Sequence, residues 1–206
     1  MVAAAVRQVL WVVPLLVGVA AAQDRAPLLA TPDQVSYQQA ARSLSEGDSA
    51  KAFEHFIQSA RYGNKQAQKS IALMYIKGAG VPHDWARAYA WFRLAGTHGD
   101  EKILQAGDEV WNALKEEEKA HSSRIYQELV PSYGDVAALA LRREWVKVQK
   151  RRLAGGSPAS STRVQLADAS GFSWELTGQE YLDLLDNYVN GFGEQNLSDD
   201  ALEVLN

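Results

Sequence analysis

The chain of 206 residues contains no cysteine, and this absence removes several chemistries at once. It excludes a disulfide framework, a thiolate metal site, a cysteine-linked haem and a cysteine nucleophile. An excess of positive charge is also missing, since 21 Lys and Arg residues stand against 25 Asp and Glu residues and give a formal net charge of −4. Bulk charge therefore excludes a strongly basic nucleic-acid binder. What is present is an ordinary globular composition, long enough for one sizeable domain.

The motifs of common catalytic sites are missing as well. The four histidines, at positions 55, 83, 98 and 121, are not spaced as helical metal ligands, and there is no His-Glu-x-x-His, Ser-x-x-Lys, Gly-x-Ser-x-Gly, Walker loop or dinucleotide fingerprint. His83 and Asp84 have the residue types of a base and its orienting group, but the pair lacks a nucleophile within reach. Asp84 also has a simpler role as a helix cap. We therefore predict no catalytic, cofactor-binding or metal-ligating residue.

The first 22 residues have the pattern of a secretory signal peptide. Arg7 precedes an apolar run that begins at Val9, and small residues at Ala20 and Ala22 are typical of a signal-peptidase site. The alternative is a retained membrane anchor, but the apolar run is shorter than the roughly 20 residues that a helical span needs. No later stretch is apolar enough to span a membrane. We therefore expect cleavage and a periplasmic or secreted protein.

The middle of the chain is similar to itself after a shift of 36 residues. Small, aromatic and glycine positions recur in the same order. Ala50, Ala52, Phe53, Phe56 and Gly63 fall on Ala86, Ala88, Tyr89, Phe92 and Gly99. A period of this length is typical of a helical array.

Capping residues and glycines divide this region into short helices. The segment 31–34 reads Thr-Pro-Asp-Gln and predicts a capping box at the first helix. The predicted N-caps of the next four helices are Asp48, Asn64, Asp84 and Asp100. Short helices joined by tight glycine turns are expected to lie antiparallel to their neighbours. No single pair covers its apolar stripe, so the pairs must stack.

Residues 64–99 carry a more specific pattern. They contain Met-Tyr-x-x-Gly-x-Gly-Val at positions 74–81, followed by Asp84, Ala88 and Trp91. This pattern resembles the Sel-one-like repeat, a relative of the tetratricopeptide repeat. The resemblance implies an all-α fold, a short α-solenoid of antiparallel helix pairs, in a protein-binding scaffold of the kind often exported by bacteria. We predict structural roles in the repeat for Ala67, Tyr75, Gly78, Gly80, Val81, Asp84, Ala88, Trp91, Ala95 and Gly99.

The remainder of the chain is less regular. The unit after residue 100 lacks the Gly-x-Gly-Val turn, and we interpret it as two helices, 101–114 and 116–131, that end the array at Pro131 and Gly134. The predicted organisation is a signal peptide at 1–22, a helical repeat domain at 31–134, an amphipathic helix at 135–152, a linker or irregular segment at 153–176, a C-terminal helix at 177–191 and an acidic tail at 192–206.

Two features of this C-terminal third have alternative interpretations. The basic end of helix 135–152 is either a patch for an anionic surface or nucleic acid, or a solvated helix end with cations near its negative pole, and the acidic net charge favours the second. Its basic residues are Arg142, Arg143, Lys147, Lys150, Arg151 and Arg152. The apolar stripe of helix 177–191, which opens with a capping box at Thr177, either packs on the array or binds a partner. We favour packing on the array, because exposed apolar stripes promote aggregation of monomers.

These observations predict an exported adaptor or scaffold of the cell envelope that binds a peptide or protein in a groove of the solenoid. Outward polar positions on the first helix of each unit are the candidate partner-binding residues: Gln66, Gln68, Lys69 and Lys102. Two alternatives remain, an envelope hydrolase acting on β-lactams or peptidoglycan fragments, and a subunit that docks into another through helix 177–191. No cofactor and no nucleic-acid partner is expected, and the oligomeric state stays open.

Overall fold

The computed structural model describes residues 29–98, 100–153, 162–167 and 173–197. Within them lie eight helices and one two-stranded antiparallel sheet. The helices are α1 (Pro32–Ser45), α2 (Ser49–Arg61), α3 (Lys65–Lys77), α4 (Trp85–Ala95), α5 (Glu101–Ala113), α6 (Glu116–Tyr133), α7 (Asp135–Leu153) and α8 (Gly178–Asn196). The strands are β1 (Arg163–Ala167) and β2 (Ser173–Thr177). The predicted signal peptide at 1–22, Gly99 and residues 198–206 of the predicted tail lie outside the described residues.

The first four helices form two antiparallel pairs, α1 with α2 and α3 with α4, and α2 packs against α3 between the pairs. The Ser59 hydroxyl near the end of α2 donates a 2.7 Å hydrogen bond to the Asp33 carbonyl at the start of α1. Lys65 at the start of α3 likewise reaches the Leu94 carbonyl at the end of α4. The predicted all-α array of antiparallel helix pairs is therefore confirmed, with one short hairpin of strands beside it.

The core of this array contains both small and large apolar residues. Nine buried alanines let helix axes approach one another, and aromatic and aliphatic side chains fill the space opposite them. The alanines are Ala40, Ala52, Ala60, Ala67, Ala72, Ala86, Ala88, Ala90 and Ala95. The larger buried residues include Phe56, Ile71, Trp91 and Phe92. This alternation of sizes is what the 36-residue period repeats.

The turn between α3 and α4 brings the second pair onto the first. Gly78 and Gly80 have φ angles of 65° and 74°, a region that side chains with a Cβ rarely adopt. A Cβ on Gly80 would also lie 2.4 Å from the Ser49 carbonyl oxygen at the start of α2. Val81, in the same turn, packs partly buried against the core. The Gly-x-Gly-Val pattern thus joins one helix pair to the preceding one.

Four of the predicted N-caps are formed. The side chains of Asp48, Asn64, Asp84 and Asp100 each accept a hydrogen bond from a backbone N–H in the first turn of their helix. The predicted capping box at Thr31 is wrong, since its side chain makes no capping bond. Asp33, in the same turn, is buried, with an ion pair to Arg142 of α7 and a hydrogen bond from the Tyr188 hydroxyl of α8.

The last two helices of the array do not form a third hairpin. Both α5 and α6 pack against α4, and α6 lies chiefly on α4 rather than on α5. Helix α6 does not end at Pro131 as predicted but continues to Tyr133. The Tyr133 ring packs edge-on against Trp91 with 4.8 Å between centroids, which gives the extra residues an apolar contact. Helix α4 is therefore covered by three neighbours.

The C-terminal third is more ordered than predicted. The segment 153–176, predicted to be linker or irregular, contains β1 and most of β2, which pair antiparallel with Val164 opposite Leu176. The capping box at Thr177 is formed with Glu180, and the two hydrogen bonds from Thr177 lower the pKa of that carboxyl. Helix α8 runs to Asn196 rather than to 191, because Phe192 packs within the fold. Helix α8 packs on α7 of its own chain.

Candidate functional site

The predicted partner-binding residues do not share a site. Gln66 and Lys102 are exposed and Lys69 is half-buried, but Gln68 is fully buried, so its assignment to a binding surface is wrong. Its side-chain amide donates a 3.0 Å hydrogen bond to the Tyr133 carbonyl at the end of α6. Sequence spacing could not show this burial, because Tyr133, which accepts the hydrogen bond, is 65 residues away along the chain.

The predicted repeat residues lie in packing positions. Ala67, Ala88 and Ala95 are buried between helices, and Trp91 is buried against Tyr133. Asp84 caps α4 and also forms an ion pair with Arg87 at 3.0 Å. These contacts lie within the array.

Tyr75, the tyrosine of the repeat pattern, packs edge-on against Phe53 of α2 with 5.6 Å between ring centroids. Burial raises the pKa of its phenol, and the nearby Arg87 opposes that rise. The ring therefore links the two helix pairs, while its polar end lies near the start of α4.

A polar cluster joins the array to the start of α7. Asp135 accepts hydrogen bonds from Lys65 Nζ at 2.6 Å and contacts His98 Nε2 at 2.8 Å. Lys65 also donates to the Thr97 hydroxyl and to the Leu94 carbonyl. Burial lowers the pKa of Lys65, although the Asp135 carboxylate partly offsets that effect.

This Asp135 cluster contains the groups of an acid–base site, namely a carboxylate, an imidazole, an amine and a hydroxyl. Its bonds connect α3, the end of α4 and the first residue of α7, and so join three helices.

A second polar cluster holds the C-terminal third. The Arg142 guanidinium lies 3.4 Å from the Asp33 carboxylate and donates a 2.8 Å hydrogen bond to the Tyr62 carbonyl. The Tyr188 hydroxyl donates to Asp33 at 2.7 Å, and Arg142 lies over the rings of Tyr188 and Phe192. Burial raises the pKa of Tyr188, and the negative charge of Asp33 raises it further. This Asp33–Arg142–Tyr188 cluster connects α1, the end of α2, α7 and α8.

Arg142 was predicted to belong to a solvent-facing basic helix end, and that prediction is wrong. Its side chain is only 8% exposed. An arginine is almost never buried unless paired, and here one carboxylate, two carbonyls and two aromatic rings surround it. Its partner Asp33 is 109 residues away in sequence, so no local pattern indicated the pair.

Sequence analysis did not identify the clefts that lie along α7. A cleft of about 470 Å³ lies between α7 and α8. Buried Val146 and Val189 form its floor. Its charged lining consists of Arg143, Lys147, Lys150 and Arg151 from α7 and Asp186 from α8.

Two further clefts continue this surface toward the start of α7. One of about 350 Å³ shares Arg143 and Lys147 with the first cleft. The other, of about 520 Å³, shares Ala140 with the second and includes Tyr62 and Pro131. The three clefts follow one another along α7, and we refer to them together as the α7 groove.

The described residues offer no site for a metal ion, since no three of their His, Asp or Glu side chains are grouped suitably. In the same ranges, no helix combines the length and apolar character needed to cross a membrane.

Comparison with known proteins gives one similar structure. No family model matches the sequence, and no curated protein matches it. The chain is similar to the crystal structure of a protective antigen present in uropathogenic Escherichia coli strains, which displays an SLR (Sel-one-like repeat) fold. The TM-score is 0.47 and the sequence identity 20%, over 63% of this chain and 27% of the other. The chain thus spans about a quarter of the length of that protein.

Proposed function

We propose that the protein is an exported adaptor or scaffold of the cell envelope that binds a peptide or protein partner on its helical surface. The observation that carries this proposal is the combination of a preformed array with a row of clefts along α7. A rigid, preformed surface lowers the ordering cost of binding, so such an array is suited to capture rather than to chemistry. The export step rests on the leader-like pattern of residues 1–22.

The hydrolase alternative has less support. The Asp135 cluster has acid–base groups, but they are engaged in bonds between α3, the end of α4 and the start of α7. The self-assembly alternative requires the apolar stripe of α8 to be available. Leu185, Val189 and Phe192 of that stripe are instead buried in one cluster with α7. The adaptor function is therefore the one that the geometry favours.

The adaptor proposal is tested by export and capture measured together. The full chain and a chain lacking residues 2–22 are expressed, and the envelope and cytoplasmic fractions are compared. The mature chain is then cross-linked in envelope extract, and bound proteins are identified by mass spectrometry with excess unlabelled protein as competitor. We expect envelope localisation that depends on the leader, and at least one partner that the competitor displaces. Cytoplasmic retention of the full chain, or capture without competition, would contradict the proposal.

The location of the contact is tested by charge reversal at a predicted position. Lys69→Glu alters half-exposed Lys69 on α3, while Lys51→Glu is a matched change on exposed Lys51 of α2. If the first-helix surface contacts the partner, Lys69→Glu weakens capture without lowering the melting temperature, and Lys51→Glu does neither. Unchanged capture by both variants removes Lys69 from the binding surface.

A further inference from the structure

We propose that β1 pairs edge to edge with β1 of a second copy of the chain, so that two hairpins form one four-stranded antiparallel sheet across a two-fold axis. Strands β1 and β2 form a two-stranded sheet, and no other strand of the described residues pairs with either of them. A strand with an unpaired edge is a template for another strand. The pairing goes beyond the adaptor proposal and does not depend on which partner the adaptor binds.

One hydrogen bond shows which backbone groups of β1 lie on its outer edge. The Gly178 N–H donates to the Thr162 carbonyl at 2.7 Å, in the same register as the strand pairs that follow. In an antiparallel ladder, hydrogen-bonded and non-hydrogen-bonded pairs alternate. The backbone groups of Thr162, Val164 and Leu166 therefore point to β2. The residues whose N–H and C=O groups point to the outer edge are Arg163, Gln165 and Ala167.

These three outward residues can pair with themselves about a two-fold axis at Gln165. In that register Gln165 lies opposite Gln165 of the second copy, and Arg163 lies opposite Ala167. Each of the three resulting pairs exchanges two backbone hydrogen bonds. No like charges face each other across the axis, and the two central side-chain amides are complementary donors and acceptors.

The apolar face of the hairpin continues across the same axis. Within the chain, Val164 pairs with Leu176 and Leu166 with Trp174, so these four side chains share one face. Leu176 is buried, whereas Val164 and Leu166 are only half-buried. In the two-fold register, Val164 of one copy lies opposite Leu166 of the other, in the closer type of pair that lacks backbone hydrogen bonds. The second copy therefore covers apolar side chains of β1 that the chain itself leaves half-exposed.

The outer edge of β2 does not offer the same pairing. On that edge, the Thr177 N–H already donates to the Glu180 carboxylate at 2.7 Å. In the equivalent two-fold register, Glu175 would lie opposite Glu175 of the second copy, and like charges directly opposite each other destabilise a sheet. The edge of β1 is thus the side of the hairpin that suits a second copy.

Sedimentation equilibrium of the chain from residue 23 onward tests the pairing. Two five-residue strands form a small interface, so we expect a reversible dimer with a Kd of about 10–100 µM. A chain that remains monomeric at about 1 mM would overturn the proposal, because the edge would then be occupied by another segment of the chain or left to a different partner.

Charge changes at Gln165 locate the contact on the two-fold axis. Gln165→Glu and Gln165→Lys each place two like charges opposite each other, and each should weaken the dimer by about tenfold. An equimolar mixture of the two variants should restore the dimer, because opposite charges then meet. Glu175 lies opposite Gln165 within the chain, so Gln165→Lys gains an attractive neighbour, and its loss of dimer cannot come from a weaker hairpin.

The matched control is Gln66→Glu, which adds the same charge at an exposed residue of α3. It should change the Kd by less than about twofold, because separated surface charges are screened by salt. Unchanged melting temperatures show that the variants are folded. If Gln66→Glu weakens the dimer as much as Gln165→Glu, net charge controls the association. If the mixture fails to restore the dimer, the contact lies elsewhere. Either result refutes pairing through β1.

The absence of cysteine permits a direct cross-link at the axis. Gln165→Cys gives each chain a single thiol, and hydrogen-bonded pairs of an antiparallel ladder have Cα atoms about 5.5 Å apart, which suits a disulfide. We expect Gln165→Cys to form disulfide-linked dimers about tenfold faster than Glu175→Cys, at an exposed position of β2. Similar rates would contradict the β1 contact. If Gln165→Cys stays monomeric and cross-links instead to a different protein of an envelope extract, the edge binds a partner's strand and the second copy is wrong.

Discussion

The repeat region, α1 to α6, and the C-terminal region, α7, β1, β2 and α8, are held together by different forces. The repeat region packs alanines against aromatic rings, with Phe56, Trp91 and Phe92 buried at its centre. The C-terminal region has its own apolar cluster around Leu139 and Leu185, but it is joined to the array through buried ionic groups. Apolar contacts tolerate many partners of similar size, whereas a buried charge requires one particular partner. The array is therefore specified by a repeating pattern of residue sizes, whereas its junction with α7 depends on individual charged pairs.

The largest expected effect comes from removing an aromatic residue of the repeat region. Phe92→Ala removes a ring that is 2% exposed, and a buried Phe→Ala change costs about 3–5 kcal/mol of unfolding free energy. We expect a loss of that size in urea denaturation of the repeat region, because α4 is covered by α3, α5 and α6.

The control for this change is Leu73→Ala, at a residue of α3 that is 38% exposed. Its expected cost is less than about 1 kcal/mol, because little apolar surface is removed from the core. Similar losses for the two variants would contradict the packing described for the repeat region.

The next largest effect tests the junction. Arg142→Met leaves the Asp33 carboxylate buried without its cation, which costs about 3 kcal/mol. Hydrogen exchange should show α8 losing protection while α3 and α4 keep theirs, since the contact joins α8 and α7 to α1. Equal loss of protection in all helices would show that the two regions are one cooperative unit.

A double variant sharpens this prediction. Arg142→Met combined with Asp33→Asn removes both charges, so the penalty of an unpaired carboxylate disappears. We expect the double variant to be more stable than Arg142→Met alone. Losses that simply add would show that the two charges do not interact.

A smaller effect is expected at the turn of the repeat. Gly80→Ala forces a residue with a Cβ to a φ of 74° and places that Cβ 2.4 Å from the Ser49 carbonyl oxygen. The strain and the displaced backbone cost about 2 kcal/mol. Gly47→Ala is the matched change, because Gly47 has a φ of 81° but no atom within 4 Å of the added Cβ. Its cost should be about 1 kcal/mol, and thermal denaturation of both variants measures the difference due to the close approach.

The smallest effect concerns alkaline pH. Because the pKa of Tyr188 is raised in the fold, the unfolded chain releases this proton above about pH 10 while the folded chain retains it. The contribution of Tyr188 is therefore fully present below pH 10 and declines above it. Tyr188→Phe should cost about 1 kcal/mol of unfolding free energy at pH 8, because Asp33 loses a hydrogen-bond donor. Between pH 8 and pH 11, the variant should lose less unfolding free energy than the unaltered protein does. Lys65, whose lowered pKa acts in the opposite direction, is present in both proteins and cancels in the comparison.

Local signals predicted the repeat region well. Asp48, Asn64, Asp84 and Asp100 cap helices because each side chain bonds a backbone N–H two or three residues later, a relation contained within one turn. Gly80 was recognised for a similar reason, since its backbone conformation is restricted locally. The helix pairs follow from these boundaries together with the apolar stripes.

The residues that sequence reasoning misplaced are those whose partners lie far along the chain. Gln68 has the polarity of a surface residue, but the end of α6 covers it. The strand pair was missed for a different reason, since Trp174 and Leu176 of β2 lie too close to the next helix to form a conspicuous alternation. The α7 groove had a partial signal in its basic residues, but its floor depends on Val189 from α8.

The sequence by itself determined where most helices begin and end and that they stack in pairs, because hydrogen bonds of caps and turns and the spacing of side chains on a helix act over three or four residues. Only the tertiary structure decided which charged residues are buried. Arg142 and Arg143 are neighbours of the same type, yet one is bonded to Asp33 within the fold and the other lines a groove. Burial of a charge depends on what the rest of the chain places beside it, and that is a property of the packed helices rather than of any local segment.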